Sequence, residues 1–205
     1  MIQPRPSPRL VLSLLTGVLV LLGWSAYRPN DTLVWVLEVA PAVVAIILLA
    51  ATWKRFPLTN LAYILIAIHA AILIVGGHYT YAEVPLGNWA RDTFDLSRNH
   101  YDRLGHLAQG FIPAIVAREV LLRCTPLKPG GWLFYLVVSV CVAISGVYEI
   151  IEWLVAEIDS SGSTDFLATQ GDVWDTQKDI ALCLVGAIAS LLLLARVHCR
   201  QLNLA

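Results

Sequence analysis

TLVWVLEVAPAVVAIILLAATW, residues 32–53, carries one charged side chain, Glu38, in twenty-two positions. At about 1.5 Å per residue a helix of this length crosses the roughly 30 Å hydrocarbon core of a bilayer. It reads as a membrane span, with turn formers at Arg28, Pro29, Asn30 and Asp31 before it and Lys54, Arg55 and Pro57 closing it. Five more stretches share the pattern, giving spans at about 10–27, 32–53, 58–75, 102–122, 132–155 and 178–197. The expected fold is all-α: a polytopic membrane bundle of about six transmembrane helices in a single integral domain, residues 1–205, with a long outer loop at 77–101. The first stretch follows Arg5 and Arg9 as a signal peptide would, but no small-x-small site comes after Trp24, so it reads as the first helix.

Composition agrees. Apolar residues are 58% of the 205 and charged residues 14%, with mean hydropathy +0.68, values of a chain whose solvent is largely lipid. The net charge of −1 and the absence of a basic run longer than Lys54-Arg55 exclude nucleic acid as a partner and leave the lipid bilayer. Cys124, Cys141, Cys183 and Cys199 stand singly, with no CxxC spacing, and are expected as buried, reduced thiols.

The basic residues orient the bundle. With the N-terminus in the cytoplasm, Arg5, Arg9, Lys54, Arg55, Arg118, Arg123, Lys128, Arg196 and Arg200 fall inside, and Arg28, Arg91, Arg98, Arg103 and Lys178 outside. That excess places both termini in the cytoplasm of a multi-pass inner-membrane protein. Every acidic residue except Glu38 and Glu119 then lies near the outer surface, and three motifs reach one depth.

The first motif is NHYDRLGHLAQ, residues 99–109, where Asp102, His106 and Gln109 share a helix face at i, i+4 and i+7, with Arg103 beside them. The second is the pair Glu149 and Glu152 at i, i+3, and the third is Asp172, Asp175 and Asp179 at i, i+3 and i+7. Carboxylates within spans are expensive, so Asp102, His106, Glu149, Glu152, Asp175 and Asp179 are read as one catalytic cluster. His78, Glu83, Arg103, Gln109 and Asp172 are added as binding residues, the first two because the aromatic loop should lie beside the cluster. Glu38 reads as a snorkelling side chain and His69 as a quietly bonded one, and both stay outside the site. Two to three carboxylates with an imidazole form a ligand set for a hard or borderline divalent cation, the one cofactor the residues suggest.

These motifs resemble a known grouping. Asp102-Arg103-x-x-His106, Glu149-x-x-Glu152 and Asp179 seven residues before Gly186 are similar to the pattern of VanZ-like membrane proteins, with Glu152 where that pattern has Gln and Cys183 where it has Asn. The fuller strings HYTYAEVPLG (78–87), RNHYDRLGHLAQGF (98–111), YEIIEW (148–153) and GDVWDTQKDIALCLVGA (171–187) resemble the YjdF-type bacterial inner-membrane proteins over residues 30–197. The resemblance implies the bundle and the polar site, and carries no reaction with it.

Two functions fit the motifs. In one, the cluster is an enzyme site at the outer ends of the last three helices, supplying acid and base to a lipid-linked or envelope substrate. In the other it is a non-catalytic proton, cation or lipid-headgroup binding or permeation site. The inner halves of the spans offer no charged path, which weighs against permeation. No nucleophile stands out, since Ser145 and Thr176 have no base beside them in sequence, which weighs against covalent catalysis.

Overall fold

The computed structural model describes residues 4–158 and 169–204; the stretch 159–164, expected as a flexible turn, lies outside the described residues. It contains α1 (Pro8–Ser25), α2 (Thr32–Thr52), α3 (Asn60–Tyr79), α4 (Pro85–Phe94), α5 (Tyr101–Cys124), α6 (Gly131–Ile158) and α7 (Asp175–Gln201), with a 3-10 turn at Tyr81–Glu83 and no strand among the described residues. The starts are locally encoded: Ser7, Asp31 and Thr59 each accept a hydrogen bond from a first-turn amide of α1, α2 and α3.

α1, α2, α3, α6 and α7 are each long and apolar enough to cross a membrane. They turn large side chains outward, among them Leu12, Val20, Val44, Ile47, Leu192 and Leu193, as helices dissolved in lipid do. α5 is equally long, roughly 36 Å at 1.5 Å per residue, but too polar to face lipid. It is therefore enclosed, packed most closely on α7 and also on α6 and α3.

The α5–α7 contact is backbone against backbone. A Cβ on Gly110 would run into the Cys183 carbonyl, and one on Gly186 into the Leu107 carbonyl. Two glycines thus seat the polar faces of the two helices against each other. Around that seam Ala114, Val137, Cys141, Cys183 and Ala187 close one part of the core, while Val18, Val39, Ala42, Ala70 and Ile74 join α1, α2 and α3.

Two expectations change here. The third span does not end at 75 but runs on as α3 through Gly76 and Gly77, which make room for their neighbours: Tyr81 lies over Gly76, and Glu38 Cβ is 3.1 Å from the position a Gly77 Cβ would take. The segment 77–101 is not a loop either. Pro85 at the first turn starts α4, and Asp95 in the left-handed conformation (φ 52°) ends it. Of the cysteines, Cys141 and Cys183 are buried, whereas Cys124 is exposed and Cys199 half-buried; all are free thiols.

The chain alternates direction. Ser7 N–H donates to Asn60 Oδ1 at 2.9 Å, Leu61 N–H to Gln201 Oε1 at 3.0 Å and Arg123 to the Pro57 carbonyl at 2.7 Å. These bonds bring the start of α1, the start of α3 and the ends of α5 and α7 to one end of the bundle.

Candidate functional site

The start of α5 carries Asp102 and His106 one turn apart, and the helix pairing supplies the rest. Asp102 Oδ1 lies 3.4 Å from His106 Nε2, and His106 Nδ1 lies 3.2 Å from Gln109 Oε1 and 3.7 Å from Glu149 Oε1 of α6. Both ring nitrogens face oxygen acceptors, Nδ1 those of Gln109 and Glu149 and Nε2 that of Asp102, so a cation bound between Nε2 and Asp102 would take the place of an Nε2 proton. Asp179 of α7 completes the group: one donor atom from each of Asp102, His106 and Asp179 lies within 4.8 Å of the others, and all three residues are buried.

Asp179 Oδ1 and Glu149 Oε1 are buried and make no hydrogen bond, on side chains only 2% and 7% exposed. A buried carboxylate oxygen without a donor is costly, so each is poised to take one.

A rim of ion pairs lies above this group. Arg98 pairs with Asp175 and, at 3.7 Å, with Asp172; Arg103 reaches Asp172 at 2.7 Å and Asp175 at 3.3 Å; and Lys178 binds Asp172 at 2.6 Å. The Lys178 hydrogen bond, ahead of the Trp174 backbone amide, holds the Asp172 carboxyl down to about 2. Arg98 also comes within 3.9 Å of Asp102. Below the rim, His106 is the only basic side chain close to Glu149 among the described ion pairs.

On its other side His106 borders a cavity of about 220 Å³ between α2, α3, α5 and α6. Glu38, Asp102, Gln109, Tyr81, Tyr148 and Glu152 line it. Tyr148 donates to Glu38 Oε2 at 3.1 Å, closing the side toward α2. Tyr81 enters from the 3-10 turn, wedged between Gly76 and Gly105, and burial, with the Glu38 charge next, pushes its phenol well above the usual range. It remains a neutral donor. Pro41 and Pro113 also line the cavity, and each lacks the N–H that would bond a carbonyl one turn earlier, at Leu37 and Gln109.

The structure therefore gathers Asp102, His106, Gln109, Glu149 and Asp179 around one imidazole, puts Glu152 in the adjoining cavity, and sets Arg103, Asp172 and Asp175 in the rim. It does not bring in His78 or Glu83. His78 Nδ1 is 2.9 Å from the Ser25 carbonyl and its ring stacks on Trp24, at 4.3 Å between centroids; Glu83 is exposed. The extension of α3 through Gly77 turns His78 toward α1, and the 3-10 turn sends Tyr81 inward in place of Glu83. Four residues left out at the sequence level enter instead: Glu38, buried rather than snorkelling; His69, whose buried Nε2 lacks the hydrogen bond expected of it; Tyr81; and Tyr148. The signal for Tyr148 was its place one residue before Glu149; nothing local marks its pairing with Glu38.

A second buried cluster occupies the opposite end of α5. Glu119 Oε1 pairs with Arg123 at 2.7 Å, and its Oε2 accepts from Thr59 Oγ1 at 2.8 Å and from His198 Nε2 at 3.1 Å. Arg118 donates to His198 Nδ1 at 2.8 Å, and Arg123 stacks on Phe56 at 3.5 Å from the ring centroid. With Nδ1 accepting and Nε2 donating, His198 is the neutral tautomer.

Comparison with known proteins yields one family and one close relative. A family described as "Predicted membrane protein (DUF2238)" matches residues 10–200. The chain is 50% identical over 189 residues to the inner membrane protein YjdF of Escherichia coli (strain K12), covering 92% of this chain and 89% of that one. No solved structure matches.

Proposed function

The chain belongs to the DUF2238 family of membrane proteins and is a multi-pass inner-membrane protein, and from that premise we propose that it is an enzyme acting on a lipid-linked envelope substrate with a divalent cation at the start of α5. The observation that carries this reading is the buried set Asp102, His106 and Asp179, beside carboxylate oxygens of Asp179 and Glu149 that no donor satisfies. A spread of 4.8 Å needs only small side-chain rotations to reach the ~2.0 to 2.6 Å shells of zinc, magnesium or calcium. Gln109, holding the far nitrogen of His106, is the outer partner that ligating imidazoles have. Bound there, the cation would polarise a substrate oxygen. Glu149 and Glu152, one turn apart on α6, are placed to take and give a proton.

A lipid-linked substrate suits what surrounds the polar cavity. Pro41, His69, Leu73 and Pro113 line both it and an apolar groove of about 410 Å³ between α2, α3 and α5. A ligand filling both is polar at one end and hydrocarbon at the other.

We include in the proposal kinship with the VanZ-like proteins, a single domain over residues 1–205, and an orientation with both termini cytoplasmic. Labelling Lys128→Cys in intact cells tests the last of these: protection from an impermeant reagent is expected, and modification reverses the topology. The site is tested by titrating Mn²⁺, Zn²⁺ and Mg²⁺ into metal-free protein in detergent by calorimetry. One site is expected for at least one ion, weakened 10- to 100-fold or more in Asp179→Asn. Absence of binding by all three refutes the cation.

A further inference from the structure

A cavity of about 500 Å³ opens between the ends of α5 and α7 and the start of α6, at the opposite end of the bundle from the Asp102 site. Arg118, Arg196 and Arg200 line it together with Leu133, Phe134 and Leu191, and no carboxylate is among its lining residues.

Three cations converging without an acid need an explanation. Arg196 and Arg200 stand at i, i+4 on α7, a spacing at which like charges repel, and both are exposed. Among the described residues no ion pair forms with either of them or with Arg118. The dipole at the end of α7 favours a basic residue in its last turn, which accounts for Arg200. It does not account for Arg118 on α5, which is only 3% exposed. Its sequence neighbour Glu119 is committed elsewhere, to Arg123, Thr59 and His198. The Arg118 hydrogen bonds go to neutral acceptors, His198 Nδ1 and Cys199 Sγ. A guanidinium taken out of water and given no counter-charge costs several kcal/mol unless an anion meets it.

The surroundings narrow the anion. The cavity sits at the helix ends, where headgroups lie, and basic pockets between helices at that depth suit phosphate-bearing lipids. A free oxyanion would satisfy the arginines and leave Phe134, which is exposed, uncovered beside them. A lipid covers both. We propose that this cavity binds an anionic membrane phospholipid, its phosphate held by Arg196 and Arg200 at the mouth with Arg118 behind them, and an acyl chain lying along Leu133, Phe134 and Leu191. The site is separate from the Asp102 cluster and stands whether or not that cluster binds a cation.

The test uses full-length protein purified in detergent and stripped of lipid, with melting followed in the presence of phosphatidylglycerol, phosphatidylcholine or inorganic phosphate. Phosphatidylglycerol is expected to raise the melting temperature by about 5 °C, well above the shift given by phosphatidylcholine at the same concentration. Inorganic phosphate alone should leave it within about 1 °C. Arg196→Gln with Arg200→Gln, both at exposed positions, should melt close to wild type without lipid and lose most of the phosphatidylglycerol shift. Native mass spectrometry should show a phosphatidylglycerol adduct retained by wild type and lost in the double variant. Equal shifts from the two lipids, or an undiminished shift and adduct in the double variant, overturn the proposal. A full shift from inorganic phosphate overturns the lipid in favour of a soluble anion.

Discussion

α5 buries charge at both ends, and the two ends treat it differently. At the C-terminal end Glu119 and Arg123 are wholly enclosed, and both carboxylate oxygens of Glu119 receive donors from Thr59, Arg123 and His198. At the N-terminal end acids outnumber bases below the Arg98–Arg103–Lys178 rim, and oxygens of Asp179 and Glu149 receive none. A carboxylate with both oxygens bonded has used its accepting capacity on the fold, and the orphaned atoms beside it are donors, Nε and Nη2 of Arg123, which do not call for a cation. An unsaturated carboxylate holds capacity in reserve, and in a low-dielectric interior that reserve is expensive enough to need a use. The contrast separates a buried ion pair that locks helices from one that awaits a ligand.

The largest expected effect tests the saturated end. Glu119→Ala strands Arg123 without its partner and should cost about 3 to 5 kcal/mol in reversible unfolding. Removing both partners as Glu119→Gln with Arg123→Gln should cost less than the two single changes added together. If Glu119→Ala costs no more than Asp179→Asn, the distinction between the ends fails.

Next in size is the seam that holds the open end together without ion pairs. Gly186→Ala drives a methyl into the Leu107 carbonyl, which cannot move without its helix. The expected loss is about 1 to 3 kcal/mol in the same assay, accompanied by weaker cation binding because Asp179 rides on the displaced helix.

Much of this architecture was legible in sequence, for physical reasons that also mark where legibility stopped. Span 32–53 could be read because lipid demands a continuous apolar run, and Asp102 with His106 because i, i+4 spacing fixes a shared face. Glu38 could not be placed: a lone carboxylate in an oily helix looks the same whether it snorkels or meets Tyr148, 110 residues away. Glu119 and Arg123 also stand at i, i+4, but their charges were spent on the topology argument, and His198 lies 79 residues further on. The span 58–75 stopped short because Gly76 and Gly77 do not show in sequence that they pack against Tyr81 and α2. His78 and Glu83 were drawn in by the aromatic residues around them, which mark an interface without saying which way each side chain turns.

Amide substitutions at the open end should act in the opposite sense to those at the closed one. Asp179→Asn and Glu149→Gln each neutralise a carboxylate that has one oxygen without a hydrogen bond, in a cluster where acids outnumber bases, so in metal-free protein each should leave stability unchanged or raise it by about 1 kcal/mol. The gain should vanish when a divalent cation is added, because only the wild type is then stabilised by it. A loss of stability in both variants, with indifference to a chelator, would make the N-terminal cluster a structural network like its counterpart.

The smallest effect sharpens the contrast within the open end itself, between the rim and what lies beneath. Asp172 precedes α7 and is the rim's shared acceptor, bonded by Lys178 and Arg103, with its carboxyl held down to about 2 against a usual value near 3.9. A folded-state value below the unfolded one stabilises the fold above the unfolded value, and that contribution is lost as pH falls from about 4 toward 2. Asp172→Asn should therefore melt slightly lower than wild type at pH 6, and the gap should close as the buffer is taken from pH 5 to pH 3. Because Lys178 is nearly half exposed, salt should shrink the gap at pH 6 as well. A gap unchanged by both acid and salt would mean that Asp172 acts through its backbone contact with Trp174, not through charge, and the rim would then owe its order to the turn before α7.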